Sequence, residues 1–353
     1  MKKVCVVGHF AKGKNLLNGQ TIKTKIITTE LENLLGKDQV EIIDTHGGIK
    51  AYIKLPFQIF MALKSCYNIV IFPAHNGVKV IVPIINVLNI FFKKGCHYVV
   101  IGGWLPELIK SKKILKSMLK RLNGIYVETN TMKNNLLNQG FSNVRVMPNC
   151  KDIKILNEDE LIYSNSEPYR LCTFSRVMKE KGIEEAINAV TFINRLYGRT
   201  VYTLDIYGQV DPNNKEWFCD ILNNLPSYIQ YKGFIPYDKS VEELKSYFAL
   251  LFPTLFYTEG IPGTVIDAYA AGVPVISSKW ESFSDIIDDG VTGMGFGFNC
   301  MDEFHNILMT VAETPEILNR MKVNCLQKAS EYSTHDVVRL FWKVASAEVN
   351  KVL

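Results

Sequence analysis

Acidic residues are scarce in the first half of this 353-residue chain: residues 1–150 hold 7 Asp/Glu against 21 Lys/Arg, a balance of +14. Residues 151–353 reverse that with 28 against 19, a balance of −9, so the net charge of +5 conceals two oppositely charged halves. A first half of that sign faces a polyanion or an anionic membrane, or else is a lysine-rich solvated surface. Long apolar runs are also missing. The longest, Val80 to Phe92, has thirteen residues and contains Pro83, Asn86 and Asn89, whereas crossing a bilayer takes about twenty. Any membrane contact is therefore expected to be peripheral. Eight cysteines are scattered without a Cys-x-x-Cys pair or a His/Cys cluster at metal spacing, which argues against a zinc site and for free thiols in a reducing compartment. Met1 to Gly8 reads as a strand and a turn, broken too soon for a secretory signal. No Gly-x-Gly-x-x-Gly or Walker loop has the right spacing, which disfavours nicotinamide and ATP chemistry.

What the chain does have is regular alternation. Runs rich in Val, Ile, Tyr and Phe recur at 4–7, 40–43, 69–72, 97–101, 124–127 and 144–147. They recur again at 170–174, 203–207, 229–232, 249–252, 273–276 and 294–296, with helical-length segments between them. This predicts an α/β protein with two doubly wound parallel sheets, helices on both faces, and ligands at the strands' carboxyl ends in a cleft between the domains. Domains are expected at 1–160 and 161–333, with the hinge in the polar segment Lys151 to Pro168.

The segment from Glu259 to Ile276 carries the most chemical information. Glu259 stands before the Gly/Pro-rich turn Ile261-Pro262-Gly263, and Asp267 follows after seven intervening residues. Thr264 to Ala271 reads as a short helix, and Val273 to Ile276 as a buried strand. Glycines in the turn let amides approach a ligand, and the helix start favours an anion. Two acids beside an anion cradle repel unless they bind something uncharged, such as sugar hydroxyls. A nucleotide-sugar meets both demands.

This arrangement resembles the acid-x7-acid signature of retaining glycosyltransferases of family four, which have the GT-B fold. The family usually has glutamate at the second position, where this chain has the shorter Asp267. The resemblance extends over nearly the whole chain and is strongest from Phe174 to Ile276. Arg176 and Lys181-Gly182 look like the family's Arg-x4-Lys-Gly segment, two cations suited to a pyrophosphate leaving group. Gly208 and the Gly233-Phe234 turn end two strands at positions that in the family lie near the nucleotide and its base. Gly19, with Lys12, Lys14 and Asn18 nearby, matches the family's glycine loop, which approaches the diphosphate and sugar. Many relatives carry a histidine after the strand at 97–101. Here Gly102-Gly103-Trp104 stands instead, and His75 is a candidate substitute, with Trp104 a candidate sugar-stacking residue.

The resemblance implies a retaining transferase. Amides around Gly263–Val265 with Arg176 and Lys181 hold the diphosphate, Asp267 holds ribose, and Glu259 holds the sugar. It implies no cofactor. No Asp-x-Asp occurs, so no metal is expected, cations and helix dipole stabilising the leaving group instead. The expected donor is UDP-linked in preference to GDP-linked, and the acceptor a saccharide or lipid-linked saccharide. The place is the cytoplasmic membrane face, with no nucleic acid involved. A helix at 334–353 is expected to cross back onto the first domain. Lys110 to Arg121 reads as one basic amphipathic helix, with Lys110, Lys112, Lys113, Lys116, Lys120 and Arg121 around an apolar side and positioned for anionic lipid. A UDP-sugar 2-epimerase of the same fold and a non-catalytic nucleotide-sugar-binding subunit remain open alternatives.

Overall fold

A computed structural model describes residues 1–11, 13 and 19–349. The chain falls into two compact units, one of Met1–Asp152 with Tyr332–Leu353 and one of Ile153–Glu331. The first unit holds β1 (Lys2–Gly8), β2 (Val40–Asp44), β3 (Cys66–Ile71), β4 (Gly95–Val99), β5 (Gly124–Val127) and β6 (Val144–Val146), in the order β2-β1-β3-β4-β5-β6. Every pairing is parallel. Its strands are apolar on both faces because both are covered. One face packs under helices Ile49–Ser65 and Val78–Phe92, through Leu55, Ile59, Ile81 and Ile85. The other packs under helices Gly19–Leu35 and Thr334–Val349, where Val338 and Phe341 join Ile27, Leu31 and Tyr126 in one cluster. The last helix thus completes the first unit's core.

The second unit holds β7 (Tyr169–Phe174), β8 (Tyr202–Tyr207), β9 (Ile229–Gly233), β10 (Ala249–Phe252), β11 (Val275–Ser278) and β12 (Gly293–Phe296), in the order β12-β11-β10-β7-β8-β9. These pairings are also all parallel. The chain winds outward from β7 through β8 to β9, then returns to the other side of β7 and winds outward again from β10. The winding reverses between β7 and β10. The connections that follow them lead to opposite edges of the sheet, and open α/β sheets bind ligands at such a point. In the first unit the reversal falls between β1 and β3.

Two sequence expectations are corrected. Lys110 to Arg121 is not one helix but parts of two, Leu105–Lys110 and Lys113–Leu119, separated at Ser111 and Lys112. Leu105 and Ile109 are buried one turn apart, and so are Leu115 and Leu119. Unbroken, the helix would carry the first pair's stripe on to Lys112, Lys113 and Lys116, so the break restores the apolar register. The strand expected at Val273 begins instead at Val275. Val273 N–H donates to Ala268 O at 2.8 Å and Gly272 N–H to Tyr269 O at 2.9 Å, closing the preceding helix. Gly272 takes the required positive φ of 64°.

Within the first sheet His97 is fully buried on β4. The Tyr126 hydroxyl donates to its Nδ1 at 3.4 Å, and its Nε2–H donates to Asn68 Oδ1 at 3.3 Å, a pattern that suits the neutral ring. Burial, and secondarily the Arg145 charge, push its pKa down to about 4. The unfolded chain therefore binds the extra proton first, and stability falls as pH drops from about 6.5 towards 4, by up to about 3 kcal/mol. His97→Gln is expected to lose less melting temperature between pH 7 and pH 5 than the natural chain. Equal losses would contradict this account.

Candidate functional site

The loops that leave β7 and β10 are tied together by their own backbone. Glu180 O accepts from Leu255 N–H at 2.9 Å and from the Thr254 hydroxyl at 3.4 Å. Gly182 turns this loop into helix Ile183–Tyr197 with φ 72°, and a Cβ there would lie 1.9 Å from Pro253 O. Only glycine lets the two loops approach so closely. The same loop is tied on its other side to the connection after β8. Ser175 N–H donates to Tyr207 O at 3.2 Å, and Val177 N–H to Gln209 O at 3.0 Å. Gly208 has φ 138°, and a Cβ on it would fall 1.7 Å from Ser175 O.

This framework sets Lys181 against Glu259: Nζ donates to Oε2 at 2.5 Å, with side chains 16% and 18% exposed. Thr254 Oγ1 reaches the same carboxylate oxygen at 3.5 Å. The rings of Phe252 and Phe256 stand 5.6 and 5.3 Å from Nζ, so the cation is partly desolvated between aromatic faces. Arg176 is not drawn into this pair. Its guanidinium faces Asp211 Oδ2 at 3.4 Å and remains half-exposed.

Gly263–Ala270 forms the helix that follows, and no side chain caps its N-terminus, where Pro262 stands. Val265 N–H returns to Pro262 O at 3.1 Å. The Thr264 hydroxyl is buried without a hydrogen-bond partner among the described residues. Asp267 lies on the same helix face, three residues on, and is itself buried, as is Ile261. Gly233 ends β9 with φ 80° in open space, and Phe234 beside it is half-exposed. The Gly208 carbonyl accepts from the Tyr231 hydroxyl at 2.8 Å, fixing the turn after β8.

In the first unit, Gly19 begins helix Gly19–Leu35 with nothing near its Cβ position. Lys12, Lys14 and Asn18 lie outside the described residues. His75 follows β3 at the winding reversal, and its ring meets Trp104 edge-on with centroids 5.4 Å apart. The Trp104 indole N–H is directed to Ile101 O at 2.7 Å.

Spacing alone did not single out three groups at strand carboxyl ends. Thr254 is one. Another is the buried pair of Lys23 Nζ and Glu128 Oε1 at 2.6 Å, where Gly102 N–H also donates at 3.2 Å. The third is a chain from Thr21 Oγ1 to His9 Nδ1 at 2.7 Å and from His9 Nε2 to His46 Nδ1 at 3.0 Å. Burial, then the charge of His46, hold His9 below its ordinary pKa. Their common sequence signal is a polar residue (Thr254, Glu128, His9) within two positions of the end of an apolar strand.

The glycine geometry separates two substitutions. Gly208→Ala is expected to cost about 2 kcal/mol or more, since backbone must move, whereas Gly233→Ala costs about 1 kcal/mol from backbone conformation alone. Urea unfolding of both variants measures this, and equal losses would refute the close packing of Gly208 on Ser175.

Residues 157–327 match the profile of the family described as "Glycosyl transferases group 1". The chain is 28% identical over 131 residues to the amylovoran biosynthesis glycosyltransferase AmsK of Erwinia amylovora, covering 36% of this chain and 32% of that one. It is 21% identical over 210 residues to the uncharacterized glycosyltransferase MJ1069 of Methanocaldococcus jannaschii, covering 57% and 52%. The matches thus span about a third to a half of these relatives' length. Among solved structures, Anabaena Alr3699/HepE in complex with UDP superposes with a TM-score of 0.75 at 14% identity, covering 98% of this chain and 100% of that one. The lipopolysaccharide outer core galactosyltransferase WaaB, in its apo form, gives 0.72 at 16%, covering 98% and 99%. At these identities the likeness shows the fold, and the fold is GT-B: two Rossmann-like units, each with a parallel six-stranded sheet.

Proposed function

We propose that this chain is a glycosyltransferase of family four that moves a sugar, with retention, from a UDP-sugar to a saccharide or lipid-linked saccharide in polysaccharide or glycolipid assembly. The observation that carries the proposal is the Lys181–Glu259 pair, held at the carboxyl ends of β7 and β10 beside an uncapped helix start. That arrangement suits a ligand with an anionic part and a hydroxyl-rich part.

In this reading the diphosphate lies on the amides around Gly263, Thr264 and Val265, where the helix dipole and two nearby cations offset its charge. Lys181 has further donor hydrogens beyond the one given to Glu259, and these serve the phosphate. Arg176 exchanges its exposed contact with Asp211 for the same anion. As the glycosidic bond breaks, negative charge grows on the leaving phosphate, so preorganised cations lower the barrier more than they tighten ground-state binding. Glu259 accepts from sugar hydroxyls and fixes the anomeric carbon. Asp267 accepts from ribose, and Phe234 and the Gly233 backbone meet the base. His75 and Trp104 serve the acceptor or sugar. The acceptor hydroxyl attacks from the face the diphosphate leaves, and the leaving phosphate takes its proton. Hexosyl transfer without a metal ion completes the proposal, at the cytoplasmic face of a membrane that the basic first half approaches.

Incubation with a panel of UDP- and GDP-sugars, followed by release of nucleoside diphosphate, tests this. Slow release from one UDP-sugar is the expected result. Isomerised sugar would favour an epimerase, and binding without release a non-catalytic subunit. Glu259→Ala is expected to lower release by about a hundredfold or more, the cost of a lost transition-state contact and a stranded cation. Unchanged turnover would refute the role of Glu259.

A further inference from the structure

We propose that the outer faces of helices Ile49–Ser65 and Val78–Phe92 form a docking surface for an anionic lipid bilayer. Each helix is apolar on two sides. Leu55, Ile59 and Leu63 face the core of the first unit, as do Ile81, Val82 and Ile85. Opposite them lie Ile53, Phe57 and Phe60 on one helix and Val87, Ile90 and Phe91 on the other. Phe57 is 69% exposed and Phe91 81%. The two helices adjoin through the edge-on rings of Phe60 and Phe92, with centroids 5.3 Å apart, so the exposed residues belong to neighbouring elements rather than to scattered sites. Asn86 Nδ2 donates to Met118 O at 3.2 Å and joins helix Lys113–Leu119 to the group, adding the exposed Ile114. Exposed apolar area gathered on neighbouring helices marks an interaction surface, whereas single exposed side chains do not.

Charge decides the occupant. Residues 45–106 contain six lysines and no Asp or Glu. Lys50, Lys54, Lys64 and Lys93 are exposed on or beside these two helices, and Lys112 and Lys113 stand exposed at the start of the third. A second copy seated on this face by a two-fold would bring lysines towards lysines with no carboxylate on either helix to offset them. A surface of aromatic and aliphatic side chains rimmed by lysine suits the headgroup boundary of an anionic bilayer, where rings and alkyl groups enter and ammonium groups meet phosphates. This deepens the membrane part of the proposed function and moves it from Lys110–Arg121 alone to the helix pair beside it.

The full chain is mixed with phosphatidylcholine vesicles, with or without phosphatidylglycerol, and sedimented in the absence of any donor. Failure here would therefore leave the transfer reaction untouched. Binding to the anionic vesicles that weakens with salt is expected. The double variant Phe57→Glu/Phe91→Glu is expected to bind at least about tenfold more weakly with an unchanged melting temperature. Lys54→Gln/Lys64→Gln/Lys93→Gln should lose the preference for phosphatidylglycerol. Absence of vesicle binding, binding by the double variant equal to the natural chain, or a dimer in light scattering that the double variant dissolves would each overturn the proposal.

Discussion

A parallel sheet whose winding reverses between β7 and β10 leaves two loops diverging from adjacent strand ends. Lys181 and Glu259 ride one on each. Because connections in such sheets are short and right-handed, the reversal point is set once the strand order is set. What remains to be specified is how closely the loops approach. One glycine and one carbonyl settle it, and a second glycine fixes the first loop against the connection after β8. Gly182 lies against Pro253 and Gly208 against Ser175, both at distances no side chain could occupy, and Glu180 O takes donors from Leu255 and Thr254. The site is therefore held by backbone, which has few alternative conformations, rather than by long side chains with many rotamers.

That rigidity bears on the ion pair. An exposed lysine–glutamate contact is worth little, because ordering two flexible side chains offsets most of the attraction. Here both partners are mostly buried, and Lys181 also lies between two aromatic faces. Removing either charge alone strands the other in a partly dry environment, whose cost exceeds the net worth of the pair. A ligand that brings its own anion to Lys181 and its own hydroxyls to Glu259 supplies each with a new partner. In the proposed function the pair is thus a resting arrangement that substrate replaces group for group.

The strand series was legible because strands covered on both faces must be nearly all apolar, and each of the twelve runs overlaps a strand. The acid spacing and the glycine turns were legible for a similar reason: positive φ and close approach restrict the residue type. The break at Ser111–Lys112 was not, because each half of the segment has a plausible helical stripe and only the sheet beneath shows that the two stripes are out of phase. Val273 was misassigned because a β-branched residue before Pro274 looks like strand, while its N–H is committed to Ala268 O. The His9–His46 and Lys23–Glu128 contacts join residues 37 and 105 positions apart. Periodicity reports which face a residue is on, not which distant residue shares it.

In the proposed function Asp267 lets one helix sort its ligand by charge. Its position is one turn into the helix that starts at Gly263, about 5 Å along the axis. At the start, amides that no side chain caps favour an anion; one turn in, a carboxylate opposes one. In the proposed function a phosphate is therefore directed to the first turn and a hydroxyl-bearing group to the second. The Thr264 hydroxyl in the first turn is buried without a partner among the described residues, able to donate to the first or accept from the second. An aspartate holds its charge one methylene closer to the helix axis than a glutamate would. In the proposed complex that requires the ribose to sit deeper. In the proposed function the shorter acid and the buried hydroxyl together call for a nucleotide drawn close along the first turn of this helix.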